Sequence, residues 1–510
     1  MISPGFFGLY NAHRALLTAQ GAMNVVNANI SNANTEGYTK QRADISSADP
    51  YAAPSLSQIS QGQVGQGSII TQVTRSRDQF LDAQYRLANG ISGQNTTMNG
   101  VYDQLQGIIA EPSTNGANTA MQNFYDTAQQ LSVSPGSTAV RSQFMQQAAD
   151  MVTTFQQEGQ QLVDLRKNLV GDPADTTSFA TSQLAITANK INTMLSSIVK
   201  INQSIASVQS SGANANDLLD QRDLILDKLS NLVDIKVTNY DSGQVDVSIA
   251  GQNMIKGVSQ LDSLQVVQNT GTTPAPDDVP SLIQTTNGGV ILNDGTGAEI
   301  SSGTLKGIND MGGNDPTLTT VRGLLGKLDT LLTSIVTAVN TLQTTGRDLN
   351  GNLATSNPVF KTDATLNPSE PLAMFHYVAN SDIVKDPTLL AAASDDSTQT
   401  GNFAGVGDGR NATLMAQLRD KTDASLGSNP IDYLTGMTTS LGIDASSYQS
   451  SAKSQAALVG SLSQQRSSVS GVNTDEETID LLRFQRAFEA SSKVISTLDQ
   501  MYQTIINMAG

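Results

Sequence analysis

Apolar residues near the start of the chain fall at Leu9, Ala12, Leu16, Ala19, Met23, Val26, Ile30 and Ala33, an unbroken alternation of three- and four-residue steps. Such a period lays one stripe along one face of a helix, and it predicts a helix of about 25 residues, roughly 38 Å at 1.5 Å per residue. Half of the stripe is Ala or Val, so it is narrow and invites close approach by a second helix. The end of the chain repeats the pattern at Leu481, Phe484, Phe488, Ser491, Ile495, Leu498, Tyr502, Ile505 and Ala509. Just ahead of it, Thr474-Asp475-Glu476-Glu477 has the spacing of a capping box, with Thr474 as N-cap and Glu477 reaching back. Acids in that first turn suit the positive end of the helix dipole. Two narrow seams at opposite ends of one chain predict that the ends pair with each other or with neighbours.

Between the seams the helical period recurs. Phe80, Leu87, Ile91, Met98, Leu105 and Ile109 mark one helix, and Val140, Phe144, Ala148, Met151, Phe155, Leu162 and Leu169 another. Leu184, Ala188, Ile191, Leu195, Ile198, Asn202 and Ile205 give a third, with Asn202 as a polar register-setting residue in the stripe. Leu218, Ile225, Leu229 and Leu232 continue the bundle after a break at Ser210-Ser211-Gly212. From about residue 233 the period changes to two: Ile235 and Val237, then Val245, Val247 and Ile249 beyond an Asp241-Ser242-Gly243 turn. Loop signals become frequent there, as in Thr273-Pro274-Ala275-Pro276 and Asn287-Gly288-Gly289, and one helical stripe interrupts from Val321 to Leu342.

The order predicts an α+β multidomain chain. A terminal α-helical coiled-coil domain pairs 1–40 with 474–510, and a long α-helical bundle domain draws on 41–232 and 406–473. A β-rich central domain covers 233–405, and its helix at about 316–345 belongs either to it or to the bundle.

Composition narrows the function. Charged residues are 15% of the 510, and the net charge of −17 disfavours phosphate backbones, which argues against a nucleic-acid partner. No apolar stretch approaches a membrane span, so no membrane insertion is expected. There is no cysteine, hence no disulfide framework, thiolate zinc site or thiol nucleophile. The N-terminus, from Met1 to Leu9, lacks the basic and long apolar regions of a secretory signal.

Candidate chemistry is sparse. His13 and His376 are the two histidines, and neither has a partner at metal-ligand spacing. Gly405-Val406-Gly407-Asp408-Gly409 lacks the trailing Gly-Lys-Ser/Thr of a phosphate loop and reads as a flexible linker. Asp277-Asp278 and Asp395-Asp396 lack calcium-loop spacing and read as solvated acids. No cofactor, metal or catalytic residue is assigned, and the chain is read as a non-enzyme.

The strongest local signal is the exit of the first helix, Asn29-Ile30-Ser31-Asn32-Ala33-Asn34-Thr35-Glu36-Gly37-Tyr38. Its residues end helices and tolerate left-handed backbone. This segment resembles the N-terminal signature of bacterial flagellar axial proteins (rod, hook and hook-associated subunits), with Asn32, Asn34, Thr35, Gly37 and Tyr38 as motif residues. Ser470 to Glu477, then Leu482-Arg483-Phe484-Gln485-Arg486-Ala487-Phe488-Glu489-Ala490, resembles the same family's C-terminal helix. Rod and hook subunits share both ends, and a secreted adhesin or effector with coiled-coil ends remains an alternative. Three features favour the hook-associated branch that joins hook to filament. They are Gly37-Tyr38-Thr39-Lys40-Gln41-Arg42, the long helical stretch of about 80–232, and Ala338 to Gly351 followed by Pro358-Val359-Phe360.

The resemblance implies a structural subunit whose central β-rich domain faces outward. It implies a ring of its own copies, seated on hook protein and carrying the next hook-associated junction protein. It also implies export through the flagellar type III channel without a cleaved signal peptide, a cytoplasmic export chaperone on the C-terminal helix, and an extracellular place in the flagellum. The assembly interface expected on this reading is Leu9, Leu16, Met23, Val26 and Ile30 with Leu481, Phe484, Phe488, Ile495, Leu498, Tyr502 and Ile505. A lone helix pair this narrow barely offsets the roughly 1–2 kcal/mol per residue of backbone entropy. Mobile ends in the free monomer are therefore expected.

Overall fold

The structure, a computed structural model, describes residues 7–49, 65–109, 116–172, 175, 177–268, 281–285, 291–292, 300–313, 318–366, 370–395 and 405–509. The loop signals at 273–276 and 287–289, the acids Asp277-Asp278 and Asp396 lie outside the described residues. The chain divides into two compact units, one from 1–92, 190–263 and 455–510, the other from 93–189 and 264–454.

The first unit holds the chain ends. Helix α1 (Phe7–Ser31) packs along α13 (Thr474–Ala509). The hairpin β1 (Gln41–Ser47) and β2 (Ser68–Arg75) follows α1 and is antiparallel, with a bulge between Asp44 and Ile45. It lies on α1: Thr18 Oγ1 donates to the Ser68 carbonyl at 2.8 Å, and a Cβ on Gly21 would come within 2.6 Å of Ile70. Within the stretch 41–232 expected to contribute to the bundle, 41–47 and 68–75 form this two-stranded ribbon. Along β2, Ile69, Thr71 and Val73 point to one side and Ile70 and Gln72 to the other.

The same unit takes the first part of α2 (Gln79–Ile108), the second part of α6 (Gln183–Ser210), α7 (Asn216–Leu232) and the end of α12 (Pro430–Ser470). A four-stranded antiparallel meander completes it, β3 (Ile235–Asn239), β4 (Val245–Ile249), β5 (Gln252–Lys256) and β6 (Ser259–Gln260). Alternate residues of β4, namely Val245, Val247 and Ile249, are buried, as the period of two requires. Asn202 on α6 donates to the carbonyls of Val245 at 2.9 Å and Gly257 at 2.6 Å, so it ties helix to sheet. Gly243, at φ +71°, closes the β3–β4 turn, and its carbonyl accepts from Arg222.

The second unit is a helical body. It holds the rest of α2 and α6, α3 (Ala117–Val133), α4 (Thr138–Val170), α5 (Ser178–Thr181), α8 (Thr304–Gly312) and α9 (Val321–Thr345). Short α10 (Ser381–Lys385), α11 (Arg410–Gln417) and the start of α12 follow. Ser137 caps α4 and Thr320 caps α9, each hydroxyl accepting from a first-turn amide. Phe124, Phe144, Phe155, Met151, Leu162, Leu328 and Leu332 form a fully buried core. The strands of 264–394 form three small antiparallel sheets: β7 (Leu264–Gln268), β8 (Ser281–Thr285) and β9 (Ile291–Leu292); β10 (Gly346–Arg347) with β13 (Ala393–Ser394); and β11 (Phe360–Thr362) with β12 (Tyr377–Ala379). The strands of the region expected as one β-rich domain therefore fall into four sheets shared between the two units.

Candidate functional site

The antiparallel α1–α13 pair is set by its two ends: Gly8 faces Leu498, where a Cβ would sit 3.5 Å away, and Asn29 faces Glu477. On α1 the small residues Ala12, Ala19, Ala22 and Val26 are buried, with α13 and the β1–β2 hairpin both packed on this helix. The larger seam residues Leu9, Leu16, Met23 and Ile30 are only half-buried, as are Leu481, Phe484, Phe488, Ile495, Leu498 and Tyr502 across from them. Ile505 stands exposed. Beyond the seam, α13 holds Ile479, Leu482, Val494, Met501, Ile506 and Met508 in solvent, and α1 holds Tyr10 and Leu17 there. One helix pair in a single chain therefore leaves apolar surface uncovered on both members.

The helix exit is built around Asn29, which heads the segment singled out in the sequence without being among its named motif residues, and which is 1% exposed. Its Nδ2 donates to Glu477 Oε2 at 2.9 Å and to the Gln41 carbonyl at 2.8 Å. Its Oδ1 accepts from the Tyr38 hydroxyl at 2.9 Å and the Gln41 amide at 3.0 Å. All four bonding positions of that amide are used. Glu477, buried here, also pairs with Lys40 at 3.1 Å, and Glu476 meets the same ammonium at 3.2 Å. Burial opposes the charge on Lys40, but the hydrogen bonds it donates to Glu477 and Glu476 outweigh it and raise its pKa. Burial, with Asp217, Asp220 and Glu477 nearby, pushes the Tyr38 hydroxyl up to about 12.

The expected capping box is corrected by this arrangement. Asn473 is the N-cap of α13, its Oδ1 accepting from the Asp475 amide at 3.0 Å, and Thr474 is already helical. Glu477 points to Asn29 and Lys40 because a buried carboxylate needs donors, and the motif supplies them.

The remaining motif residues shape the turn. Asn32 bonds the Ala28 carbonyl at 3.0 Å and accepts from Thr35 at 3.2 Å, while Asn34 is exposed. Gly37 has φ +82°, and a Cβ there would come within 3.1 Å of Leu224 on α7, so both backbone and space call for glycine. The next amide, of Thr39, donates to Asp220 on α7 at 3.0 Å.

Asp220 opens a buried ionic network that sequence reading missed. Arg75 reaches Asp220 at 2.7 Å and Asp223 at 3.0 Å, and Arg77 reaches Asp82 at 2.6 Å. Arg86 reaches Asp227 at 2.8 Å, while Arg466 reaches Asp82 at 2.9 Å and Asp227 at 2.7 Å. Despite its burial, Asp223 is held near pKa 2 by Arg77, Arg222, Arg75 and Arg86. Burial raises Asp220, although Arg75 and Thr39 work against it. The carboxylates sit one turn apart on α7, a spacing that also suits a solvated face, which is why the sequence hid them.

This is a clamp made of paired charges and saturated amides. Among the described residues no group of three or more His, Cys, Asp or Glu is placed to hold a metal, and no helix is long and apolar enough to cross a membrane. His13 is exposed on α1, and His376 lies between the carbonyls of Leu366 and Glu370. The glycine-rich stretch at 405–409 is packed at its end only: a Cβ on Gly409 would run into Ser132 and buried Asp408 pairs with Arg410 at 2.9 Å, while Val406 is exposed.

Comparison with known proteins gives three consistent findings. Residues 102–360 match the family model described as the flagellar hook-associated protein FlgK helical domain. Residues 9–39 match that of the flagella basal body rod protein, and 463–508 that of the flagellar basal body rod FlgEFG protein C-terminal. Over its whole length the chain is similar to flagellar hook-associated protein 1 of Bacillus subtilis, 28% identical over 99% of this chain and 98% of the relative. The protein of that name from Escherichia coli is 24% identical over 98% and 99%. The solved flagellar hook junction protein FlgK from Burkholderia pseudomallei has a similar fold, with a TM-score of 0.57 and 17% identity over 76% of this chain and all of that one.

Proposed function

Given that the chain belongs to the flagellar hook-associated protein FlgK family, we propose that it is a structural subunit joining hook to filament, and that its copies form a ring through the paired terminal helices. The observation that carries this reading is the half-covered α1–α13 seam. Phe484, Phe488, Ile495 and Leu498 keep part of their apolar surface in water, and Leu482, Val494, Met501 and Ile505 keep about half of it. Apolar area of this extent is covered when further helices stand alongside, at about 25 cal/mol for each Å² removed from water. The ends of the free chain are then looser than in the ring.

On this reading the ring rests on hook protein and receives the next junction protein. Before export the uncovered face of α13 is shielded by a cytoplasmic chaperone that binds an amphipathic helix in a groove. The subunit leaves through the flagellar export channel without a cleaved signal peptide and ends outside the cell.

The test is complementation of a deletion strain, scored by electron microscopy. The deletion is expected to give bare hooks with flagellin shed into the medium, and the native chain to restore filaments. A chain carrying Phe488→Asp and Ile495→Asp, present at normal level, is expected to leave hooks bare. Filaments on those hooks would show that this face is not the contact.

A further inference from the structure

The ion pairs around α7 form a closed set that does not balance. Among the described residues they link five arginines, Arg75, Arg77, Arg86, Arg222 and Arg466, to four aspartates, Asp82, Asp220, Asp223 and Asp227. A positive charge is left over, inside a chain whose net charge is −17. Arg75, Arg77, Arg86 and Arg222 line one cleft of about 390 Å³ within the first unit. Their side chains lie deep, from 5% exposed for Arg222 to 14% for Arg75. Amide side chains such as those of Gln72, Asn214 and Asn239 complete a polar wall.

The groups in this wall are short of negative charge. Arg86 donates from Nε to Asp227 at 2.8 Å, but its Nη2 is buried and finds no hydrogen-bond acceptor among the described residues. The Asp223 carboxylate stands 3.9 Å from it, too far for a hydrogen bond. A charged donor kept from water without an acceptor is costly. Burial lowers the pKa of Arg222; Asp223 works against that, and the like charges of Arg75 and Arg86 add to it. Asp82 and Asp223, the carboxylates in the wall, are each already shared between two or more arginines. Planar guanidinium forks meet the oxygens of a phosphate or sulfate in pairs, a match that a spherical halide lacks.

We propose that this cleft is a binding site for a small tetrahedral oxyanion, held by Arg75, Arg77, Arg86 and Arg222. The ion supplies the missing charge where the end of β2, the start of α2 and α7 meet, and it tightens the contact among them. All of its groups belong to one chain, so the site stands apart from the ring reading.

The test titrates inorganic phosphate into the purified full chain by isothermal calorimetry, with sodium chloride holding the ionic strength constant. Saturable binding of a single phosphate is expected. Asn239 is exposed in the wall, and its side chain donates to Gln79 at 3.4 Å. Asn239→Asp therefore adds a carboxylate without touching the ion pairs, and like-charge repulsion is expected to weaken phosphate about tenfold. Arg86→Gln removes a charge from the wall and is expected to abolish saturable binding. Should circular dichroism show that Arg86→Gln unfolds the chain, Asn239→Asp decides alone. No saturable binding by the native chain overturns the site, as does phosphate binding to Asn239→Asp or to folded Arg86→Gln as tightly as to the native chain.

Discussion

Helices α4 and α13 are similar in length, 33 and 36 residues, and carry the same three–four apolar spacing, yet they are buried in opposite ways. On α4, Phe144, Met145, Met151, Phe155, Leu162 and Leu169 are covered completely, because α3, α8 and α9 surround it within its own unit. On α13, among the described residues, α1 is the main partner along the seam, and no large apolar side chain between Ile479 and Met508 is fully buried. The period shows that a helix has an apolar face; the number of elements within reach determines how much of that face is covered. One helix belongs to a finished core and the other to an unfinished one.

The contrast gives the largest expected effect. Phe155→Ala opens a cavity in a closed core and is expected to cost about 3–5 kcal/mol in urea unfolding of the purified chain. Leu498→Ala, at a half-buried position, is expected to cost about 1 kcal/mol there, yet to abolish incorporation into flagella. Equal losses in the monomer would mean that the α1–α13 seam is already a complete core.

Much of this was legible in sequence, since α1, α4, α9 and α13 bury side chains on one local face and the spacing alone reports it. The family resemblance was legible for the same reason, its words lying in short continuous segments at both ends. What escaped was long-range. Glu477 fits a local capping pattern but is recruited by Asn29, 448 residues away. Of the stripe expected on α7, Leu229 and Leu232 are buried but Leu218 and Ile225 are only half-buried, whereas Asp220, Arg222 and Asp223 are buried. Carboxylates move inside when arginines arrive from distant segments, here Arg75, Arg77, Arg86 and Arg466. Nothing near α7 in sequence announces them. The stripe of α2 shows the converse, its period continuing unchanged where its cover stops: Met98 and Leu105 are buried, Phe80 and Leu87 exposed.

The ionic network offers the next effect. Asp223→Asn leaves Arg75, Arg77 and Arg222 short of a buried carboxylate and is expected to cost about 3 kcal/mol at neutral pH. Asp82, Asp220 and Asp227 keep the loss at that level. The pH dependence has a definite sign. The folded chain holds Asp223 near pKa 2, below the usual value of about 3.9. Its contribution is therefore fully present above pH ~4 and fades as pH falls toward 2. Asp220, raised by burial, runs the other way and takes up its proton earlier on acidification. Urea midpoints between pH 2 and 7 should show the native chain losing its advantage over the variant through that window. A constant difference would mean that Asp223 is not the group that titrates.

The smallest effect separates the two ways of starting α13. If Asn473 is the cap, Asn473→Ala removes the acceptor of the Asp475 amide and costs about 1 kcal/mol, localised to the first turn. Thr474→Ala should then stay within about 0.5 kcal/mol, because the Thr474 side chain is exposed and makes none of the capping bonds. Hydrogen exchange at the amides of Asp475 and Glu476 reads this directly, and Asn473→Ala should speed it while Thr474→Ala leaves it unchanged. The reverse pattern would restore the capping box. It would also free Glu477 from Asn29 and Lys40, because one carboxylate cannot reach back to its own cap and hold the far helix exit together.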